Sequence, residues 1–277
     1  MAPTVALLLA GLSSAVPVDT CAAPSLIPAY AHNDYLNRRP LLDALELGFR
    51  GVEADVFRVG TDLLIGHDRR ELRPGYTLSR SYLEPLRERH HACGRILSDG
   101  TPFFLNVELK EADTAAFRYL VNELRDYEEL FRGSASSPEP AVRVTLVGWW
   151  PLADVLPWPD YVRVQLGGER ERVAARRTDR PVGLVSIDYG KVLSWRGRGD
   201  VPNADKATLA RVREVSGQVG VPLRVHHAPA DSAVYRWLLS ENVTLIGTTN
   251  LKRTRELLVK LLGQPPNMRV KQTAPSF

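Results

Sequence analysis

Gly51-Val52-Glu53-Ala54-Asp55-Val56-Phe57 carries carboxylates on one set of alternate positions and apolar side chains on the other. Residues two apart on a β-strand share a face, so Glu53 and Asp55 project together while their alternates pack against helices. Phe104-Leu105-Asn106-Val107-Glu108-Leu109-Lys110 repeats the arrangement, with Asn106, Glu108 and Lys110 on one face. Two further extended runs also end in polar groups: Ala31-His32-Asn33-Asp34 before this stretch and Ile65-Gly66-His67-Asp68 after it.

Working outward, short β-branched runs alternate with helix-like apolar spacing. Strands are expected at Leu26–Ala31, Gly51–Phe57, Phe103–Leu109, Arg143–Val147, Tyr161–Gln165, Gly183–Asp188, Leu223–His227 and Val243–Ile246, with a further extended run at Leu63–Gly66. Helices are expected at Pro40–Leu47, Leu83–His91, Thr114–Leu130, Ala204–Ser216, Ser232–Leu239 and Leu251–Leu262, with Asp231 or Ser232 capping the fifth. Eight strands with intervening crossovers predict an α/β fold, a TIM (β/α)8 barrel whose strand ends converge on one mouth. An open doubly wound sheet is the alternative, but no glycine-rich phosphate loop follows an early strand.

The chain has 277 residues, 44% hydrophobic and 25% charged, which is ordinary globular composition. Its net charge of +4 is spread along the sequence beside acidic neighbours, so no nucleic-acid partner is expected. Residues 1–23 resemble a secretory signal, with an apolar Val5–Leu12 and cleavage after Ala15 or near Ala22–Ala23. This predicts a secreted or periplasmic protein, cytoplasmic if the segment is not a signal. It also predicts one catalytic domain over 24–262 and a flexible tail over 263–277. Loss of Cys21 with the leader would leave Cys93 as a lone, inert thiol with no internal disulfide.

Three carboxylates in one low-dielectric mouth repel each other and lose hydration. A divalent ion removes the conflict, and the hard oxygens of Glu53, Asp55 and Glu108 suit Mg2+, Ca2+ or Mn2+. Lys110 is placed to neutralise a phosphoryl oxygen, while His32 and His67 can move protons near neutral pH. A cation, a lysine and two histidines suit phosphodiester cleavage.

The spaced set His32-Asn33-Asp34, Glu53-Ala54-Asp55, Gly66-His67-Asp68 and Glu108-Leu109-Lys110 resembles the glycerophosphodiester phosphodiesterase and phosphatidylinositol-phospholipase-C-like superfamily. The His-Asn-Asp-Tyr opening and Ser186-Ile-Asp-Tyr-Gly190 look closest to a poorly characterised branch with bacterial and fungal members. The resemblance implies one metal held by Glu53, Asp55 and Glu108, a His32/His67 acid–base pair, and Lys110 against the phosphate. It also implies attack by a neighbouring substrate hydroxyl through a cyclic phosphate. Relatives typically open with His-Arg-Gly; Asn33 here replaces a charged phosphate contact with a neutral one or helps arrange the metal site. Other departures are Arg224-Val225-His226-His227, where a Trp is common, and Thr248-Thr249-Asn250, where Thr-Asp-Asp is common.

Later loops supply candidate substrate contacts: Trp149 after the fourth strand, Asp188 and Lys191 after the sixth, and Trp195 beyond them. Of His226 and His227, strand alternation allows only one to point inward, and His226 is the expected one. The aromatic and basic groups suit a phospholipid-derived small molecule, with transient contact to a lipid surface; no obligate protein partner is expected. Two alternatives remain: a non-catalytic barrel that binds phosphate-bearing ligands, and a lipase-like or phosphomonoesterase reaction on the same scaffold. No Gly-x-Ser-x-Gly elbow supports a serine esterase.

Overall fold

The computed structural model describes residue 21 and residues 24–134, 138–151, 158–167 and 180–263. The expected leader, apart from Cys21, and the tail beyond residue 263 lie outside the described residues. Nine strands form the sheet: β1 (Ala29–Ala31), β2 (Gly51–Val59), β3 (Asp62–Ile65), β4 (Phe103–Leu109), β5 (Val142–Gly148), β6 (Arg163–Gly167), β7 (Val182–Asp188), β8 (Leu223–His226) and β9 (Leu245–Thr248). Their order is β1-β9-β8-β7-β6-β5-β4-β2-β3, and a further β1–β2 pairing closes the ring. All pairs in that ring are parallel. The fold is therefore a closed eight-stranded parallel barrel of the TIM type, with β3 added antiparallel to β2 as a hairpin arm.

The helices are α1 (Leu42–Glu46), α2 (Glu84–Cys93), α3 (Thr114–Arg125), α4 (Glu128–Phe131), α5 (Tyr189–Val192), α6 (Asn203–Val219), α7 (Ser232–Ser240) and α8 (Leu251–Leu262). Helix α3 shows why the spacing was legible: Ala116, Phe117, Leu120, Val121 and Leu124 form one buried stripe, and the Asp113 side chain accepts the Ala115 N–H as N-cap. The single helix expected over Thr114–Leu130 is instead two, because Tyr127 leaves helical geometry (φ −129°) and lies 4.4 Å below the Arg87 guanidinium. Asp231, not Ser232, caps α7. Pro40 lies ahead of α1 rather than in its first turn. Among the described residues, no helix is long and apolar enough to cross a membrane.

Two apolar regions hold the barrel. The main one lies between strands and helices and includes Val52, Ala54, Val56, Leu105 and Val107. The other is a plug of Tyr30, Phe104, Leu184 and Leu245, which forms the floor beneath the polar groups. Gly51 makes that floor possible: a Cβ there would meet the Phe104 carbonyl oxygen at 2.6 Å and the Tyr30 ring at 2.9 Å. Above the floor, the register aligns Glu53 with Asn106 and Asp55 with Glu108, so the acidic layers stack toward one end.

Cys21 and Cys93 are joined by a disulfide, which corrects the expectation of a lone, inert thiol. The bond ties the segment before β1 to the last residue of α2. Local sequence offered no sign of it, because the partners lie 72 residues apart.

Candidate functional site

The barrel brings Glu53, Asp55 and Glu108 together, with one ligand oxygen from each lying within 4.8 Å of the others. Their surroundings determine what they can do. Lys110 Nζ bridges Asp55 Oδ2 and Glu108 Oε1, each at 3.2 Å. Desolvation pulls the Lys110 pKa down, but the two carboxylates outweigh it and hold the ammonium above its usual value. Burial, followed by the Asp55 charge, pushes Glu108 up. Gly148, at φ +75°, closes this side, since a Cβ there would meet Glu108 Cγ at 3.2 Å.

His67 is oriented rather than merely near. Its Nδ1 lies 3.1 Å from Asp55 Oδ2 and 3.3 Å from the Tyr35 hydroxyl, which itself donates to Asp55 Oδ2 at 2.8 Å. Burial and the Asp55 charge push the Tyr35 phenol up, so it stays a donor. An ionised carboxylate can only accept, so this network places the His67 proton on Nδ1 and frees Nε2. The His67 side chain is 57% exposed, which leaves that nitrogen open to the mouth. Tyr35 was not among the expected site residues; its position directly after His32-Asn33-Asp34 was the available signal.

His32 lies deeper. Its Nδ1 is 3.6 Å from Glu53 Oε2, too long for a hydrogen bond. Burial lowers its pKa, against the opposing pull of Glu53, and so favours the neutral ring. Asn33 takes a left-handed backbone (φ 50°) that turns the chain from β1 into the following 3-10 turn, a conformation asparagine tolerates better than most residues.

Asp34 is structural. Its buried carboxylate accepts the Leu41 N–H at 2.5 Å, the Tyr82 hydroxyl at 3.1 Å and Asn37 Nδ2 at 3.2 Å. Desolvation nonetheless raises its pKa to about 6. A carboxyl whose folded pKa exceeds its unfolded value binds its proton more tightly when native, so its contribution to stability falls as pH rises from about 4 to about 6. Asp34→Asn is expected to remove that slope, on the order of 2–3 kcal/mol across the window. The check is wild-type melting temperature minus variant melting temperature, measured against pH; a difference that stays flat would refute the assignment.

The largest departure from expectation is Arg224, which is 1% exposed inside the barrel. Arg224 Nη1 pairs with Glu53 Oε2, its Nε donates to Ser186 Oγ at 2.9 Å, and its guanidinium lies 4.7 Å over the Tyr30 ring. Burial alone would raise Glu53, but Arg224, followed by His32, holds it below the usual carboxylate range. The alternation that directs His226 inward also directs Arg224 inward, two positions earlier.

His226 is largely buried at the end of β8, whereas His227 is half-exposed just beyond it. His227 has a left-handed backbone (φ 57°) just beyond β8 and so escapes strand alternation. His32 and His226 stack at 5.1 Å, and His227 meets both edge-on at 4.8 and 4.7 Å. Asp188 joins them, with His227 Nδ1 at 3.1 Å. Lys191 Nζ reaches Asp188 Oδ2 at 3.6 Å from a side chain that is 81% exposed. Trp195 lies edge-on to Trp237 of α7 at 5.7 Å, with its indole N–H on the Arg198 carbonyl, and is partly buried against the main core. Trp149, next to Gly148, is partly buried against the main core.

The carboxylate set fits a hard divalent ion. Asp55 Oδ1 and Asn106 Oδ1 are buried without a hydrogen-bond partner, and three carboxylates against two cations, Lys110 and Arg224, leave a negative surplus.

Residues 19–132 match the AIM6-like phosphodiesterase domain, the segment that carries both histidines, Lys110 and the three carboxylates. Altered inheritance of mitochondria protein 6 of Eremothecium gossypii is 48% identical over 75 residues, 26% of this chain and 19% of that protein. The Saccharomyces cerevisiae protein of the same name is 35% identical over 80 residues, 26% and 20% of the two chains. A homolog from Arthroderma benhamiae is 26% identical over 167 residues, 50% and 52%. The matched segments thus span between a fifth and about half of these relatives. A solved glycerophosphodiester phosphodiesterase from Agrobacterium tumefaciens aligns with 83% of this chain and 97% of its own at a TM-score of 0.44 and 13% identity. The domain model that matches residues 19–132 is one of phosphodiesterase type.

Proposed function

We propose that this barrel is a divalent-cation-dependent phosphoric diester hydrolase acting on glycerophosphodiesters or phospholipid headgroups. One observation carries the reading: Glu53, Asp55 and Glu108 converge with Lys110 between two histidines at the end of the barrel. A Mg2+ or Ca2+ ion bound by these carboxylates would supply Lewis-acid stabilisation of phosphoryl charge.

The chain's own groups perform the remaining steps. Lys110 offers a further positive charge to a phosphoryl oxygen. One histidine takes the proton of the attacking hydroxyl or water as the new P–O bond forms; the other protonates the leaving oxygen as the old bond breaks. Asp55 and Tyr35 hold His67 in the tautomer that leaves Nε2 available. An attacking hydroxyl on the substrate itself yields a cyclic phosphate, whereas attack by water yields a linear monoester. Asn33, His226 and Asp188 lie on the His32 side and bound the substrate. Lys191 is exposed, and with the partly buried Trp149 and Trp195 it would suit a headgroup or brief contact with a lipid surface. The Cys21–Cys93 bond favours an oxidising compartment, and with it export and a leader ending before Cys21.

A second reading, a phosphate-binding barrel without turnover, draws on Arg224, whose guanidinium occupies an oxygen of Glu53. Incubation with a phosphodiester panel, followed by phosphorus NMR, separates the two. Hydrolysis that requires Mg2+ or Ca2+ and stops in chelator is expected. Chelator-resistant turnover would refute the metal dependence, and binding without turnover would favour the second reading.

A further inference from the structure

Asp188, His226 and His227 present a second set of ligand atoms, one oxygen and two nitrogens within 4.8 Å of one another. Their placement is specific. Asp188 Oδ1 accepts the Gly190 N–H at 3.0 Å, which fixes the carboxylate and turns Oδ2 toward the histidines. His227 Nδ1 is 3.1 Å from that oxygen and His226 Nε2 is 4.0 Å from it. The other nitrogen of His226, Nδ1, is 3.3 Å from Ser186 Oγ, a hydroxyl anchored in turn by buried Arg224. This is the outer hydrogen bond that metal-bound imidazoles use to fix ring orientation.

We propose that Asp188, His226 and His227 bind a first-row divalent cation of the zinc class, at a site separate from the hard-ion site of Glu53, Asp55 and Glu108. Two imidazoles and one carboxylate suit zinc and its neighbours, whereas an all-oxygen set suits magnesium or calcium. Three protein ligands leave a coordination position open, as in sites that receive water or an anion. His32 divides the two sites, stacking on His226 at 5.1 Å while lying 3.6 Å from Glu53. Lys191, 3.6 Å from Asp188 Oδ2, is the cation that must give way, and its exposed side chain is free to do so. The left-handed turn at His227 acquires a role in this arrangement, because an extended residue there would carry its ring to the other face.

The test is metal binding, independent of hydrolysis. The full chain, stripped with chelator, is titrated calorimetrically with Zn2+ in saturating Mg2+, and bound zinc is counted after dialysis. One retained zinc equivalent is expected, with imidazole scattering from two histidines in its X-ray absorption spectrum. His227→Ala and His226→Ala should each weaken zinc by at least about 10²-fold, at or beyond the upper end seen on losing an outer-shell partner, while Glu108→Gln should leave zinc bound. Thermal melts confirm that the variants fold, and the wild-type absorption spectrum stands without them. Absence of bound zinc would overturn the proposal. So would zinc lost only in Glu108→Gln, or a spectrum without histidine.

Discussion

Asp55→Asn is expected to lower phosphodiester turnover by about 10³-fold or more, within or beyond the range for losing a positioned acid or base, while the barrel remains folded. The reason lies in how Asp55 divides its two oxygens. Oδ2 accepts from Tyr35 at 2.8 Å and lies 3.1 Å from His67 Nδ1 and 3.2 Å from Lys110 Nζ. Oδ1 is buried, unpartnered and available to a cation. Asparagine cannot serve both sides. With its NH2 in the Oδ2 position, it confronts three donors and releases His67; with its NH2 in the Oδ1 position, it removes the ligand oxygen. Initial rates with Mg2+, together with nitrogen NMR of the His67 tautomer, check both parts. A variant within about threefold of wild type would remove Asp55 from the mechanism.

The second large effect concerns stability. Arg224→Met is expected to cost about 3–5 kcal/mol, because it leaves the Glu53 carboxylate buried without its counter-charge. Glu53 is 2% exposed, and the neighbouring His32, whose neutral ring is favoured by burial, is not a hydrogen-bond partner at 3.6 Å. Two further measurements distinguish this electrostatic cause from lost packing over Tyr30. The double variant Glu53→Gln/Arg224→Met should recover much of the loss, since no charge is then stranded. Added Mg2+ should raise the melting temperature of Arg224→Met more than that of wild type, because the ion takes over neutralisation of Glu53. Equal losses in the single and double variants would show that packing dominates. Under the proposed metal-dependent function, the guanidinium on one oxygen of Glu53 would also temper the affinity of the three carboxylates for a divalent ion.

Much of this site could be read from local pattern. Glu53 and Asp55 alternate with Val52, Ala54 and Val56, and that alternation leaves β2 one orientation in a closed barrel: apolar residues toward the helices, carboxylates toward the interior. Asn106 and Glu108 follow the same rule on β4, with Lys110 just past its end, and the bounds Phe103–Leu109 are as the spacing predicts. The helix expected at Leu251–Leu262 is also found with those bounds. Where expectation failed, something nonlocal intervened. The helix broken at Tyr127 answers to a buried ring and Arg87 rather than to its own periodicity.

The sequence by itself determined which side chains share a face, because strand periodicity is a property of the backbone and acts over two residues. Hence the carboxylates, Lys110 and the two histidines at segment ends were visible without coordinates. Tertiary structure alone decided their partners. Arg224 meets Glu53 across 171 residues because ring closure sets which strands face each other across the barrel. Tyr35 reaches Asp55 through a turn that begins at left-handed Asn33. His227 joins His226 because one positive φ interrupts the alternation that would have separated them. Such contacts depend on barrel register and single backbone angles, which no pattern of residue types encodes.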